Sequence, residues 1–269
     1  MDLQPQLQEE ASAAIDRRYR LGPLAISAVN METALERLDA QVRRGRSAYV
    51  CVANVNVTGQ CRKNAEFCRI ENQSFMTVPD GMPLVWAARL AGEAGVDRVA
   101  GPDLMMEVLH RGRQQGYTHY FYGDEEGVLE RLTAKVRQQF PGAIVVGSHS
   151  PPFREMTQDE VDADVREINR LRPAFVWVAL GAPKQERWMA SVVGQIESSV
   201  LVGVGAAFRF LLGEFKHPPR IVQRLGMEGI CWRFLKHPYE ETLWYAKHVP
   251  MYLLLLTGVL MRRWTRRRH

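Results

Sequence analysis

Cysteine is scarce. Cys51, Cys61, Cys68 and Cys231 are the only four in 269 residues, with neither CxxC spacing nor a paired histidine nearby. Zinc and thiol-redox motifs are therefore unsupported, buried or idle thiols are the ordinary reading, and a reducing compartment is expected. A P-loop, a Ser/His/Asp nucleophile order and metal-ligand spacing are missing as well, which removes the usual signatures of covalent and metal catalysis. Residues 1–20 are polar and charged and contain no apolar h-region. No secretory signal is expected there, and the protein is expected in the cytoplasm. Low-complexity tracts and internal repeats are absent. The apolar run Val249–Met261 is only thirteen residues long. As a helix it would cover roughly 20 Å of a hydrocarbon core of roughly 30 Å, so it is expected to lie in the membrane interface, with a short transmembrane helix as the second reading.

A core of ordinary size can form, because 46% of the residues are hydrophobic. The net charge of +5 is unevenly placed: from Gly213 to His269 there are eleven Lys/Arg against four Glu. Such asymmetry points to a polyanionic surface, either membrane or nucleic acid. Three regions follow: a loose leader over 1–20, a core over 21–212, and a basic, aromatic appendage over 213–269.

Within the core, apolar runs alternate with helical patterns. Strands are expected at 24–29, 47–54, 75–78, 119–122, 143–146, 174–180 and 199–204, each separated from the next by amphipathic stretches and most ending in Gly, Asn, Asp or Pro. Continuous apolar strands of this kind predict an α/β fold, a Rossmann-like and mainly parallel sheet with helices on both faces. In such a sheet, ligands bind beyond the carboxyl ends of the strands. The stretch Thr77–Trp86 places Asp80-Gly81 at that edge, where one carboxylate is a candidate general base. Alone, Asp-Gly after a strand also reads as an ordinary turn. Gly203–Phe208 (GVGAAF) resembles half of a dinucleotide fingerprint without its third glycine, so it fits a phosphate-approaching turn better than an NAD site. Gly181–Glu186 (GAPKQE) puts an amide, a cation and a carboxylate at the start of another helix beside the same edge.

Six blocks together resemble the WecG/TagA/CpsF family of bacterial glycosyltransferases: VANVNV (52–57), VPDGMPLVWAARLAG (78–92), RVAGPDLM (98–105), ALGAPKQERWM (179–189), GVGAAFRFLLG (203–213) and PPRIVQRLGMEGICWRFLKHP (218–238). The resemblance covers about residues 24–240. It implies inverting, metal-independent transfer of a sugar from a UDP-sugar to a polyprenyl-diphosphate-linked acceptor during surface polysaccharide synthesis, with a basic appendage that reaches the inner face of the cell membrane. Carried over by motif, Asp80 is the base. The substrate-binding set is Asn54, Gly81, Asp103, Lys184, Gln185, Glu186, Gly203 and Gly205, with Arg220, Arg224 and Arg233 of the appendage on the diphosphate. Gln185 is the candidate for a substrate hydrogen bond. The chain departs from the family pattern at Val52, where a threonine is usual, and at Arg209, where an aspartate is usual.

The expected chemistry is a single displacement with no cofactor beyond the UDP-sugar substrate. An anionic membrane surface is the expected partner, nucleic acid is not, and a shared apolar face between subunits is left open. The alternative is a non-catalytic nucleotide- or nucleic-acid-binding protein that uses the basic C-terminus.

Overall fold

The computed structural model describes residues 16–215 and a helix over 238–266, whose side chains are described from 249 to 265. In chain order its elements are β1 (Arg18–Leu21), β2 (Leu24–Ser27), α1 (Met31–Arg43), β3 (Ala48–Ala53), α2 (Val55–Lys63) and α3 (Ala65–Gln73). Then come β4 (Met76–Pro79), α4 (Met82–Ala91), α5 (Gly101–Gln115), β5 (Thr118–Gly123), α6 (Glu126–Gln139) and β6 (Ile144–His149). The remainder is α7 (Gln158–Leu171), β7 (Phe175–Ala179), α8 (Lys184–Val192), β8 (Val200–Gly203), α9 (Ala207–Leu211) and α10 (Pro238–Arg266).

Every residue of β4, β7 and β8 is buried, the pattern of strands covered on both faces. These strands belong to a six-stranded sheet in the order β4-β3-β8-β7-β5-β6, with every neighbouring pair parallel. This is the expected α/β, Rossmann-like architecture. On one face Val50, Phe121, Trp177 and Val202 meet Leu38 of α1, Leu104 and Val108 of α5, Leu132 of α6 and Phe208 of α9. The opposite face, with Cys51, Tyr122, Val178 and Leu201, meets Val165 and Ile168 of α7 and Trp188, Met189 and Val192 of α8. Tyr122 stacks on Trp188 at 4.0 Å between ring centroids. Asn30 and Thr157 open α1 and α7 with reciprocal capping boxes.

Three boundaries differ from the sequence expectation. Arg18–Leu21, placed in and beside the leader, is a strand that pairs antiparallel with Leu24–Ser27, so the first expected strand belongs to a separate hairpin. The strand expected over 143–146 runs over Ile144–His149. It is one of the sheet's two edge strands and none of its residues is fully buried, so its ladder continues through Ser148 and His149 after the apolar run has stopped. The single helix expected through Phe67 and Ile70 is broken at Asn64, whose side chain caps α3 by accepting from the Phe67 amide at 2.9 Å.

The core's third part is built around α10. Its Leu255, Leu256, Tyr252 and Val259 pack against Leu21 and Leu24 of the hairpin and Leu84 and Ala87 of α4. Gly22 permits this approach, since a Cβ there would stand 2.7 Å from Leu255 Cδ2.

Close backbone passage at the strand ends generates a prediction. Gly123 closes β5 with φ +108°, and a Cβ on it would stand 2.7 Å from the Ala179 backbone carbon and oxygen. Gly45 shares a positive φ of +60° but faces open space. Gly123→Ala is expected to lower the unfolding free energy by about 3 kcal/mol or more, strain and overlap adding, and Gly45→Ala by about 1 kcal/mol. Urea denaturation of the two variants checks the difference.

Candidate functional site

Because all six strands run the same way, their carboxyl ends lie on one edge. Asn54 follows β3, Asp80-Gly81 follows β4, Gly205 follows β8 and Lys184 follows β7. The sheet order makes β4, β3 and β8 neighbours. At about 4.8 Å per strand, the carboxyl ends of β4 and β8 are about 10 Å apart, with that of β3 between them. Helix α5 also starts here: a Cβ on Gly101 would meet the Val204 carbonyl at 3.3 Å, so Asp103 in its first turn belongs to the same region.

Asp80 is held by its backbone. Its N–H donates to the Ala53 carbonyl at 2.7 Å and extends the β3-β4 ladder by one bond. Gly81 follows with φ +112°, a conformation that side chains disfavour, and α4 begins at once with Pro83 in its first turn. The strand therefore stops abruptly and leaves the half-exposed carboxylate at the lip. Asn54 starts α2: its Oδ1 accepts from the amides of Asn56 at 3.0 Å and Val57 at 3.2 Å. Beside it Val52, the position of the usual threonine, pairs with Val78.

The GAPKQE turn behaves differently from expectation. Lys184 is exposed at the edge, after a cis Ala182–Pro183 peptide. Gln185, expected to hydrogen-bond substrate, is 4% exposed, and both ends of its amide are occupied by the protein. Its Nε2 donates to Glu186 Oε1 at 2.8 Å and its Oε1 accepts from the Gly205 N–H at 3.1 Å. Glu186 is fully buried, and burial raises its carboxyl above the usual range. Beneath it lies a second buried carboxyl, Glu71 of α3, pushed up to about 8 by burial and by the charge of Glu186. Glu71 was not picked out in the sequence. It shares the buried stripe of Phe67 and Cys68, and a carboxylate on an apolar stripe is the signal that could have found it.

Asp103 forms an ion pair with Arg98 at 3.0 Å. Arg209, standing where the family pattern has aspartate, is engaged in turn: its guanidinium donates to both Asp124 oxygens, at 3.1 and 2.7 Å, and to Glu125 at 3.1 Å. These hydrogen bonds raise its pKa further. The cation thus ties α9 to the end of β5 and is largely neutralised there. Arg220, Arg224 and Arg233 lie outside the described residues. Among the described residues no group of three His, Cys, Asp or Glu side chains is placed to hold a metal ion.

Helix α10 reaches the same neighbourhood from behind. Tyr252 Oη donates to the Pro83 carbonyl and Tyr19 Oη to the Leu84 carbonyl at 2.9 Å, so the first turn of α4, next to Asp80, is held from α10 and β1. Away from that contact α10 exposes Leu253, Leu254, Leu260, Met261 and Trp264, and Val249 is exposed a turn before Tyr252. Among the described residues no helix is long and apolar enough to cross a membrane.

Comparison with known proteins gives a consistent result. The model of the family described as "Glycosyl transferase WecG/TagA/CpsF family" matches residues 19–269. The chain is 26% identical over 195 residues to an N-acetylglucosaminyldiphosphoundecaprenol N-acetyl-beta-D-mannosaminyltransferase of Bacillus spizizenii, covering 72% of this chain and 74% of that protein. A Staphylococcus aureus protein of the same name is 25% identical over 182 residues, covering 68% of this chain and 70% of its own.

The geometry of Asn54 separates capping from any further role. Asn54→Ala is expected to lower stability by about 1 kcal/mol through loss of the cap, whereas Asn54→Asp, which caps equally well, changes it by less than about 0.5 kcal/mol. Chemical denaturation measures both; equal losses in the two variants would contradict the capping assignment.

Proposed function

This chain belongs to the WecG/TagA/CpsF family of glycosyltransferases, and we propose on that footing that it moves a sugar of the N-acetylhexosamine class from a UDP-sugar to a polyprenyl-diphosphate-linked acceptor. The relatives' names describe transfer onto N-acetylglucosaminyldiphosphoundecaprenol. Asp80 is the general base. The observation that carries this reading is the position of one half-exposed carboxylate at the carboxyl edge of the sheet, fixed by the Ala53 hydrogen bond and the Gly81 turn.

In the proposed reaction Asp80 takes the proton of an acceptor hydroxyl as that oxygen attacks the anomeric carbon. The new C–O bond forms as the bond from that carbon to the UDP phosphate oxygen breaks, with inversion. Asn54, the Gly203–Ala207 turn, Gly81, Asp103 and Lys184 form the rim that meets the two substrates, and Arg220, Arg224 and Arg233 supply cations to the diphosphate. Orientation and charge stabilisation contribute the larger share of the acceleration. The core and the appendage from residue 213 thereby divide the work: the core reacts and the appendage brings it to the lipid.

Membrane contact is assigned to α10. Its inner face belongs to the core, to which Arg262 and Arg263 also turn by donating to the Arg20 and Leu90 carbonyls, while Leu253, Leu254, Met261 and Trp264 point away from it. This arrangement suits a helix lying on anionic lipid, where each basic residue near the surface adds about 1 kcal/mol.

Asp80→Asn is expected to lower kcat by about 10²–10⁴-fold with folding intact, measured as UDP release from a panel of UDP-sugars with a lipid-diphosphate acceptor. Equal rates with and without EDTA are expected in the same assay, and a near-normal Asp80→Asn enzyme would sink the base assignment. For the membrane, removing α10 would strip the core, so outward substitutions are the better test. Leu254→Asp with Met261→Asp is expected to abolish co-sedimentation with phosphatidylglycerol vesicles while thermal unfolding stays unchanged. Retained pelleting would remove α10 as the anchor.

A further inference from the structure

Two polar side chains in the first turn of α8 are buried, where an unsatisfied polar group is costly. Their hydrogen bonds form a directed chain. A carboxylate oxygen can only accept, so Glu186 Oε1 receives the NH2 end of the Gln185 amide, at 2.8 Å. The carbonyl end must then face the other way, where it accepts the Gly205 N–H at 3.1 Å. Gly203 makes the passage possible: a Cβ there would stand 3.0 Å from Gln185 Nε2 and 2.8 Å from Met189 Cε. Glu186 and the Gly205 N–H thus fix the amide from its two ends, and without Glu186 its NH2 end would lose the acceptor that holds it there.

We propose that Glu186 is a positioning residue for glycosyl transfer: by orienting the Gln185 amide it holds the Gly205 turn in the form that receives the donor, and the neighbouring Glu71 keeps a proton so that only one carboxylate charge occupies this buried site. The inference rests on the donor reading above.

The surroundings of the pair argue for a single charge. Glu71 and Glu186 are each fully buried; Glu186 Oε2 has no hydrogen-bond partner among the described residues, and Glu71 has no nitrogen or oxygen donor, only the weak Cys51 thiol. Around them stand the Cys51 thiol from β3, Cys61 from α2, Cys68 from α3, Gln185 from α8, and Arg18 of β1 as the one cation acting on Glu71. Two carboxylates cannot both ionise cheaply in such a place. The Gln185 amide at 2.8 Å is a stronger donor than the Cys51 thiol beside Glu71, so Glu186 is the one stabilised as an anion and Glu71 stays neutral. The sign follows from the raised value of about 8. Below it Glu71 is protonated and the clamp is intact. Above it a second negative charge enters beside Glu186, disfavouring the arrangement that Gln185 depends on.

The test uses the full chain, with two variants of Glu186 and one of Glu71. Glu186→Gln keeps an acceptor oxygen, Glu186→Met removes it at similar volume, and Glu71→Gln mimics the protonated carboxyl. Amide hydrogen exchange at Gly205 at fixed pH reads the clamp without any substrate. Exchange is expected to be at least tenfold faster in Glu186→Met and within threefold of wild type in Glu186→Gln. In steady-state kinetics Glu186→Met is expected to raise the donor KM at least tenfold while the acceptor KM moves less than twofold, with Glu186→Gln restoring most of the loss. The alkaline limb of donor kcat/KM is expected to move up by at least one pH unit in Glu71→Gln. Unchanged exchange in Glu186→Met overturns the clamp. Faster exchange with an unmoved donor KM overturns its role in the reaction, and an unmoved limb overturns the proton on Glu71. Should wild type release no UDP from any UDP-sugar, the donor reading fails, while the exchange experiment still decides the clamp.

Discussion

A sheet whose strands all run in one direction has one edge where chain enters and one where it leaves, and every other feature of this protein follows from that polarity. Six parallel strands need covered crossovers, so both faces are spent on helices and the strands carry little but apolar side chains. Polar groups are thereby driven off the faces and onto the turns at the edges. The carboxyl edge receives Asn54, Asp80, Lys184 and Gly205 from four different segments. The site is thus a by-product of topology before it is a matter of chemistry.

Much of this was legible in the sequence, because apolar runs and turn residues are local signals. AYVCVA, FVWVA and VLVG read as covered strands, and the glycine after Asp80 reads as an abrupt stop, since both depend on residues adjacent in the chain. Direction of side chains was harder. GAPKQE looks solvent-facing because it is polar and opens a helix, yet Gln185 and Glu186 point inward, and only the Gly205 N–H and Gly203's missing Cβ reveal why. Arg209 reads as a charge reversal until Asp124, eighty-five residues away, is seen to receive it. The hairpin strand over 18–21 was hidden in a charged context because Arg18 and Arg20 alternate with buried Tyr19 and Leu21 over only four residues.

The basic end of the chain gains most from the structure. Its composition alone suits a membrane helix, a nucleic-acid tail or an interface. The structure divides α10 lengthwise: Tyr252, Leu255, Leu256 and Val259 complete the core beside α4 and the hairpin, while a second apolar row is left outside. A helix with two apolar faces is ordinarily a buried helix, so one whose second face meets solvent in the isolated chain has a surface available for lipid. Pro250 within it is tolerated near the start of the packed segment.

The two tyrosine hydroxyls on the carbonyls of Pro83 and Leu84 also act as a ruler. They lock α4 onto α10 and β1 at the spacing of packed helices, about 8–10 Å between axes. On the proposed docking, with the outer row of α10 against lipid, the start of α4 rides one helix layer above the bilayer, and Asp80 with it. An acceptor tethered by a diphosphate to a buried polyprenol can offer its sugar hydroxyl only within a narrow band above the headgroups. The packing of α10 would then select acceptors by altitude, through the length of what separates the sugar from the lipid, with no contact to the lipid chain itself.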